Sequence, residues 1–297
     1  MKKIFWENPY QCTLETTVEA VNGNKCEFEE TIAYSEAGGQ ESDKATVNGL
    51  PILDSTMPTR DQIIYTLPDN HGLKVGDKVK MEIDWPRRNR LMRLHFSCEL
   101  VLVIVNRLFG KKPVGEELAP KEIDVIGPFK TGAHMTEDGA RVSFLLAENM
   151  IKYLDAILKE FNRIIDEDLP IEKGYLNEET QERFWRIKGF ALVPCGGTHV
   201  DTTSEIGRVN LKRENGGKYK GQPSEKIRIS LVDPSPRENK FAAGFFNTSD
   251  KNGGNSSCST LDKKDASTAS PAVENNESDV STSCGSEVKN STPALAQ

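Results

Sequence analysis

The sequence predicts an α+β fold, and three observations predict it. Residues 1–84 carry short β-prone runs cut by glycine and asparagine turns. Residues 85–233 mix helical periods with further strands, and the remainder is polar and low in large apolar side chains.

The first part is expected to be a small barrel-like β domain. Thr16–Val21 is rich in β-branched residues, and Val79, Met81 and Ile83 alternate onto one face. Turn signals separate such runs at Asn22-Gly23-Asn24, Gly38-Gly39, Asn48-Gly49 and Asp69-Asn70-His71-Gly72. Spacing of this kind suits a barrel or sandwich.

A helix is expected next. Asp84 can cap it, Pro86 enters near its first turn, and Leu91, Leu94, Cys98, Val101, Leu102 and Val105 keep helical spacing to Phe109 before Gly110. A second helix is predicted from about Glu148 to Glu167. Its apolar face is Ile151, Leu154, Ile157, Leu158, Phe161, Ile164 and Ile165, and Leu169-Pro170 stops it. Ile187–Val193 and Lys226–Val232 read as strands, the latter alternating through Ile227, Ile229 and Leu231. Residues 234–297 read as linker and tail, with Asn247–Gln297 too poor in apolar area to offset its ordering entropy, hence disordered.

Composition narrows the function. The net charge is −7, of which seven acids and four lysines from Asn247 onward supply −3. Such a balance argues against a protein that coats nucleic acid, and no DNA partner is expected; a local basic surface is compatible with it. Six cysteines at irregular spacing do not form a disulfide framework. No apolar run approaches the roughly 18 residues of a membrane span. The start, Met1–Glu7, lacks a signal peptide's apolar stretch. A soluble, cytoplasmic protein with no membrane partner is expected.

Four histidines invite separate weighing. His71 falls in a turn and His134 in a polar loop. His95 lies within the first helix, and Glu99 follows one turn later on the same face, about 40° away. Cys98 is rotated off by about 60° and is the poorer partner. Cys195-Gly196-Gly197-Thr198-His199 follows a strand, and its glycines permit a tight loop that brings thiol and imidazole together. His95, Glu99, Cys195 and His199 offer N, O, S and N donors, a set zinc accepts. Taken singly, a helical histidine is usually hydrogen-bonded and a lone cysteine usually a small core residue.

Arg87, Arg88, Arg90 and Arg93 crowd the first turns of that helix and oppose its macrodipole, at about 0.3–1 kcal/mol each where exposed. The pattern points to phosphate, or to acids elsewhere in the fold. Gly38-Gly39-Gln40 is a turn or a close backbone approach to a substrate.

In order along the chain stand Gly38-Gly39-Gln40, Ile83-Asp84-Trp85, Arg87-Arg88, Met92-Arg93-Leu94-His95, Cys195-Gly196-Gly197-Thr198-His199-Val200 and Glu205-Ile206-Gly207. The set resembles the alanyl-tRNA editing proteins, free-standing relatives of the alanyl-tRNA synthetase editing domain and kin to that of threonyl-tRNA synthetase. The resemblance runs from Phe5-Trp6 to about Val232.

It implies a β-rich amino-terminal part packed on an α+β editing domain, the common domain of threonyl- and alanyl-tRNA synthetases. It also implies one zinc ion on His95, Cys195 and His199. Gly38, Gly39 and Gln40 would border the pocket for the aminoacylated end of the tRNA; Thr198 is expected beside them, and the charge pattern above makes Arg87, Arg88 and Arg93 the expected phosphate contacts. The implied reaction is hydrolysis of mischarged Ser- or Gly-tRNA(Ala) in trans; His95 and Glu99 are the residues expected to be catalytic. No ligase activity is expected.

Two departures from the family pattern stand out. Glu41 occupies a position where proline is usual, and Glu99 stands where the second helical histidine belongs. Glu99 can ligate zinc, can act as a base on bound water, or can abolish the metal site. The last option leaves a catalytically weakened tRNA-binding protein of the same fold.

Overall fold

The computed structural model describes residues 1–109, 130–146 and 148–232, all within one compact unit that begins at Met1. Gly110, the linker after Asp233 and the tail expected to be disordered lie outside the described residues.

The first part is β structure: β1 (Lys2–Lys3), a one-turn helix α1 (Ile4–Glu7), β2 (Thr13–Asn22), β3 (Lys25–Phe28), β4 (Glu30–Thr31), β5 (Ala45–Val47), β6 (Leu50–Pro51), β7 (Asp54–Thr59), β8 (Gln62–Thr66) and β9 (Lys78–Ile83). One sheet runs in the order β6-β5-β9-β2-β3-β8-β7. Its two edge pieces are separated only by Ile52-Leu53, whose N–H groups donate to Ala45 and Thr66. The sheet therefore curls back on itself into a barrel-like wall. Asn48 and Gly49, with φ of 50° and 80°, supply the two positive-φ positions of a tight β5–β6 hairpin. Alternation directs Val79 and Met81 inward against Phe28, Ile63 and Tyr65, forming one core.

A second core is built around α2 (Trp85–Leu108), whose N–H at Arg87 is capped by the Asp84 carboxylate. From Arg88 to Val105 only Arg90 and Leu102 are not buried. The apolar stripe seen in the sequence understates this: α2 is a central helix, enclosed on all sides.

Around it stand β10 (Lys130–Thr136), β11 (Gly139–Leu145), a 3₁₀ turn (Met150–Tyr153), α3 (Leu154–Asp166), β12 (Glu172–Asn177), β13 (Glu182–Ile187), β14 (Ala191–Pro194), a second 3₁₀ turn (Thr203–Ile206), β15 (Val209–Tyr219) and β16 (Gln222–Leu231). Two antiparallel sheets result, β10-β11-β16-β15 and β12-β13-β14. The architecture is thus mixed α and β.

Three local expectations need correction. The helix expected from Glu148 begins as a 3₁₀ turn capped by Asn149, and this turns Ile151 out to solvent, 62% exposed. Residues Ile187–Val193 are not one strand: they straddle the β13–β14 hairpin, where Gly189 takes φ +68° and Phe190 N–H closes on Ile187. His134 lies in β10 rather than in a loop.

Candidate metal centre

The loop after β14 is anchored where Cys195 N–H donates to Arg183 O at 2.8 Å. It carries its side chains over the middle of α2. His95 Nε2 lies 3.1 Å from Cys195 Sγ, and His199 completes a group whose donor atoms all fall within 4.8 Å of one another. The two imidazoles meet edge to face at 5.0 Å between centroids, and Phe96 backs His199 at 5.6 Å. Gly197 roofs His95 so closely that a Cβ there would sit 2.7 Å from each ring nitrogen.

Glu99 lies beside this group rather than inside it. Its Oε1 is 3.8 Å from His95 Nε2, 3.9 Å from Cys195 Sγ and 3.9 Å from Lys130 Nζ. Its Oε2 accepts from Trp185 Nε1 at 3.4 Å. Lys130 and Trp185 escaped the sequence reading, because neither has a local spacing that ties it to α2.

Burial sets the protonation states. It lowers His95 to about 4, against the smaller opposing pull of Glu99. It takes His199 well below the ordinary value, and repulsion from His95 whenever that ring is protonated, and from the nearby Lys173 and Arg183, acts in the same direction. The same enclosure, with Glu99 adding to it, pushes the Cys195 thiol up. Both rings are therefore neutral bases at neutral pH, and the thiol holds its proton unless a cation displaces it. Two buried ring nitrogens, His95 Nδ1 and His199 Nε2, have no hydrogen-bond partner within the protein.

The Gly38-Gly39-Gln40 turn reaches the same region. Gly39 takes φ +88°, and a Cβ there would overlap the Ala133 carbonyl. Met135 N–H donates to Gly39 O at 2.7 Å, and Glu41 N–H to Met135 O at 3.0 Å. Gln40, fully buried, bonds to Thr198 of the metal loop.

The sequence signature of the threonyl and alanyl tRNA synthetase second additional domain matches residues 183–229, which span β13, β14, the metal loop and most of the β15–β16 hairpin. The alanyl-tRNA editing protein AlaX-M of Pyrococcus horikoshii is 29% identical over 221 residues, 74% of this chain and 94% of that protein. Its namesake from Methanosarcina barkeri is 28% identical over 244 residues, 77% of this chain and 98% of that protein. An alanine–tRNA ligase of Saccharolobus islandicus is 29% identical over 225 residues, only 24% of the ligase. This chain is similar to the alanyl-tRNA editing proteins over most of its length.

In this chain the arginines at the start of α2 face inward. Arg88 is fully buried, pairs with Asp43, and donates to Pro9 O at 2.9 Å and Ile32 O at 2.5 Å. Arg93 is also fully buried, with Nε on Ile206 O at 3.0 Å. Arg87 binds Glu41 at 2.8 Å and Glu137 at 2.5 Å. Glu41, the second departure from the family pattern, thus gains an ionic partner at the mouth of the glycine turn. A phosphate does not reach Arg88 or Arg93 in this arrangement; they join the barrel-like wall to α2 and α2 to the Ile206 turn.

Proposed function

We propose that this chain hydrolyses mischarged aminoacyl-tRNA, Ser- or Gly-tRNA(Ala), in trans, with one zinc ion held by His95, Cys195 and His199. The observation that carries the reading is the convergence of two neutral buried imidazoles and one thiol within 4.8 Å. The donor set fits zinc, whose protein ligands are nitrogen and sulfur of this kind. Unpartnered buried ring nitrogens in a site roofed by Gly197 fit a cation site better than a satisfied core.

When bound, zinc supplies Lewis-acid polarisation at this position. The chain's own residues supply the rest. Glu99 Oε1 lies beside His95 and Cys195, where a carboxylate can accept a proton, and Lys130 Nζ stands 3.9 Å from the same oxygen. Gly38 and Gly39 would border the substrate site, Gly39 packing tightly on the Ala133 carbonyl, and the Gln40–Thr198 pair fixes the turn to the metal loop. An aminoacyl ester is labile, so positioning of the chain end contributes much of the required rate.

The likeness to the alanyl-tRNA editing proteins supports the substrate class. Among the described residues no helix is long and apolar enough to cross a membrane.

The test is release of serine from serine-charged alanine tRNA by the purified chain, with and without chelation. Fast, chelator-sensitive release supports the reading. The presence of Glu99 in place of a histidine favours a second one, a tRNA-binding protein without turnover. No release at high enzyme concentration, with tRNA still bound, selects it.

A further inference from the structure

The outer face of the β10-β11-β16-β15 sheet carries a row of basic side chains that the metal centre does not use. His134 pairs with Arg141, Arg141 with Arg228, and Arg228 with Lys212. Register partners in antiparallel strands project to the same side, so these four form one line across four strands. The inner face of the same strands is the core: Met135, Ala140, Val142, Phe144, Ile227 and Ile229 are buried. Arg141, Arg228 and Lys212 are exposed. Lys226 stands two residues from Arg228 on the same face. Among the described residues of that face the one carboxylate is Glu214, opposite Lys226 and 3.6 Å from Arg228.

Like charges directly opposite each other destabilise a sheet. Here two such pairs, Arg141–Arg228 and Arg228–Lys212, lie in succession in a chain whose net charge is −7. Folding alone gives no reason for that clustering. A polyanion laid across the row relieves the repulsion and fits its line of donors. At about 4.8 Å per strand, three strand spacings give a line of about 14 Å. Its His134 end abuts the substrate turn, since a Cβ on Gly39 would approach His134 Cα within 3.4 Å.

We propose that this row is the surface that receives the phosphate backbone of the tRNA, leading from the metal centre out along the helix that precedes the aminoacylated end. The inference rests on the tRNA substrate proposed above, and it gives the phosphate contacts a location that buried Arg88 and Arg93 do not.

The experiment is titration of unacylated alanine tRNA with the full chain, read by fluorescence anisotropy over a range of salt. Combining Arg141→Gln, Lys212→Gln and Arg228→Gln is expected to weaken binding tenfold or more at low salt. The slope of log K against log salt should become shallower by roughly two to three, since each lost phosphate contact removes about 0.7–0.9. A charge-matched control, Lys25→Gln with Lys74→Gln and Lys159→Gln, should stay within twofold of wild type. Retained affinity and slope in the row variant, or equal losses in both variants, overturn the proposal. Thermal unfolding checks integrity, and because the row variant removes like-charge neighbours its midpoint should not fall. If it does fall, Arg141→Glu alone is put through the same titration and must show the same direction of change. A wild type that releases serine while the row variant binds normally rejects the surface and keeps the hydrolase. A row-dependent tRNA affinity without serine release does the reverse.

Discussion

Gln40 and Thr198 hold each other through both ends of one carboxamide: Gln40 Nε2 donates to Thr198 Oγ1 at 2.9 Å, and its Oε1 accepts from Thr198 N–H at 3.3 Å. Both residues are buried, and they join the glycine turn to the metal loop. Gln40→Leu leaves a buried N–H and hydroxyl without partners, which costs about 1–3 kcal/mol. Urea unfolding should show a loss of that size, with deacylation falling alongside it. A change below about 0.5 kcal/mol, the range of ordinary surface substitutions, would remove Gln40 from this positioning role.

The Arg88–Asp43 pair is enclosed completely, with neither side chain exposed. Removing one member of a buried pair strands the other charge and typically destabilises by about 3–5 kcal/mol. Arg88→Met should therefore be detected as a large drop in unfolding free energy. The salt dependence of tRNA binding by whatever folded protein remains should match wild type. A stable Arg88→Met protein with a flattened salt dependence would return Arg88 to the RNA surface.

The contrast between these two sites shows what the sequence made legible. Helical spacing put His95 and Glu99 on one face, and the two glycines after Cys195 announced a tight loop; both are seen. The alternation of Val79 and Met81, and of Ile227 and Ile229, located core-facing strands. Of the two readings open for the arginines, pairing with acids elsewhere in the fold is the one seen at Arg87 and Arg88; macrodipole reasoning favoured phosphate because it assumes a solvated helix end, whereas the barrel-like wall covers this one and its carbonyls and Asp43 absorb the charge. Lys130, Trp185 and the basic row were invisible for a related reason. Their neighbours are set by strand register and by contacts across long sequence separations, and neither has a local period. Ile151 was assigned inward by helical phase, but a 3₁₀ turn has three residues per turn and rotates it out.

Acid should loosen the metal-free protein through His95. Its ordinary value is 6.5 and burial lowers it to about 4, so between those limits the unfolded chain takes up a proton that the folded site refuses. Stability is present in full above pH 6.5 and is lost as pH falls through the window, at up to roughly 1.4 kcal/mol per unit. His199 shifts the same way and adds to the trend. Thermal or urea unfolding of chelated protein at intervals from pH 7 to pH 4.5 measures the slope. His95→Gln should make it shallower; an unchanged slope would mean that other groups carry the acid sensitivity.

Gly196 and Gly197 provide an internal comparison, since they are neighbours in sequence with opposite surroundings. A Cβ at Gly196 meets nothing within 4 Å, whereas one at Gly197 lies 2.7 Å from both nitrogens of His95. The ring cannot retreat easily, because His199 stands 5.0 Å away on one side and α2 fixes its backbone. Gly197→Ala should therefore tilt His95 out of the donor group. Changes that disturb ligand orientation at a metal site weaken metal binding by roughly 10–100-fold. Gly196→Ala should leave zinc affinity within twofold. Competitive chelation titrations of the two variants, with circular dichroism to confirm folding, decide the matter without reference to turnover. Equal affinities in the two proteins would mean that the His95 imidazole is not a ligand.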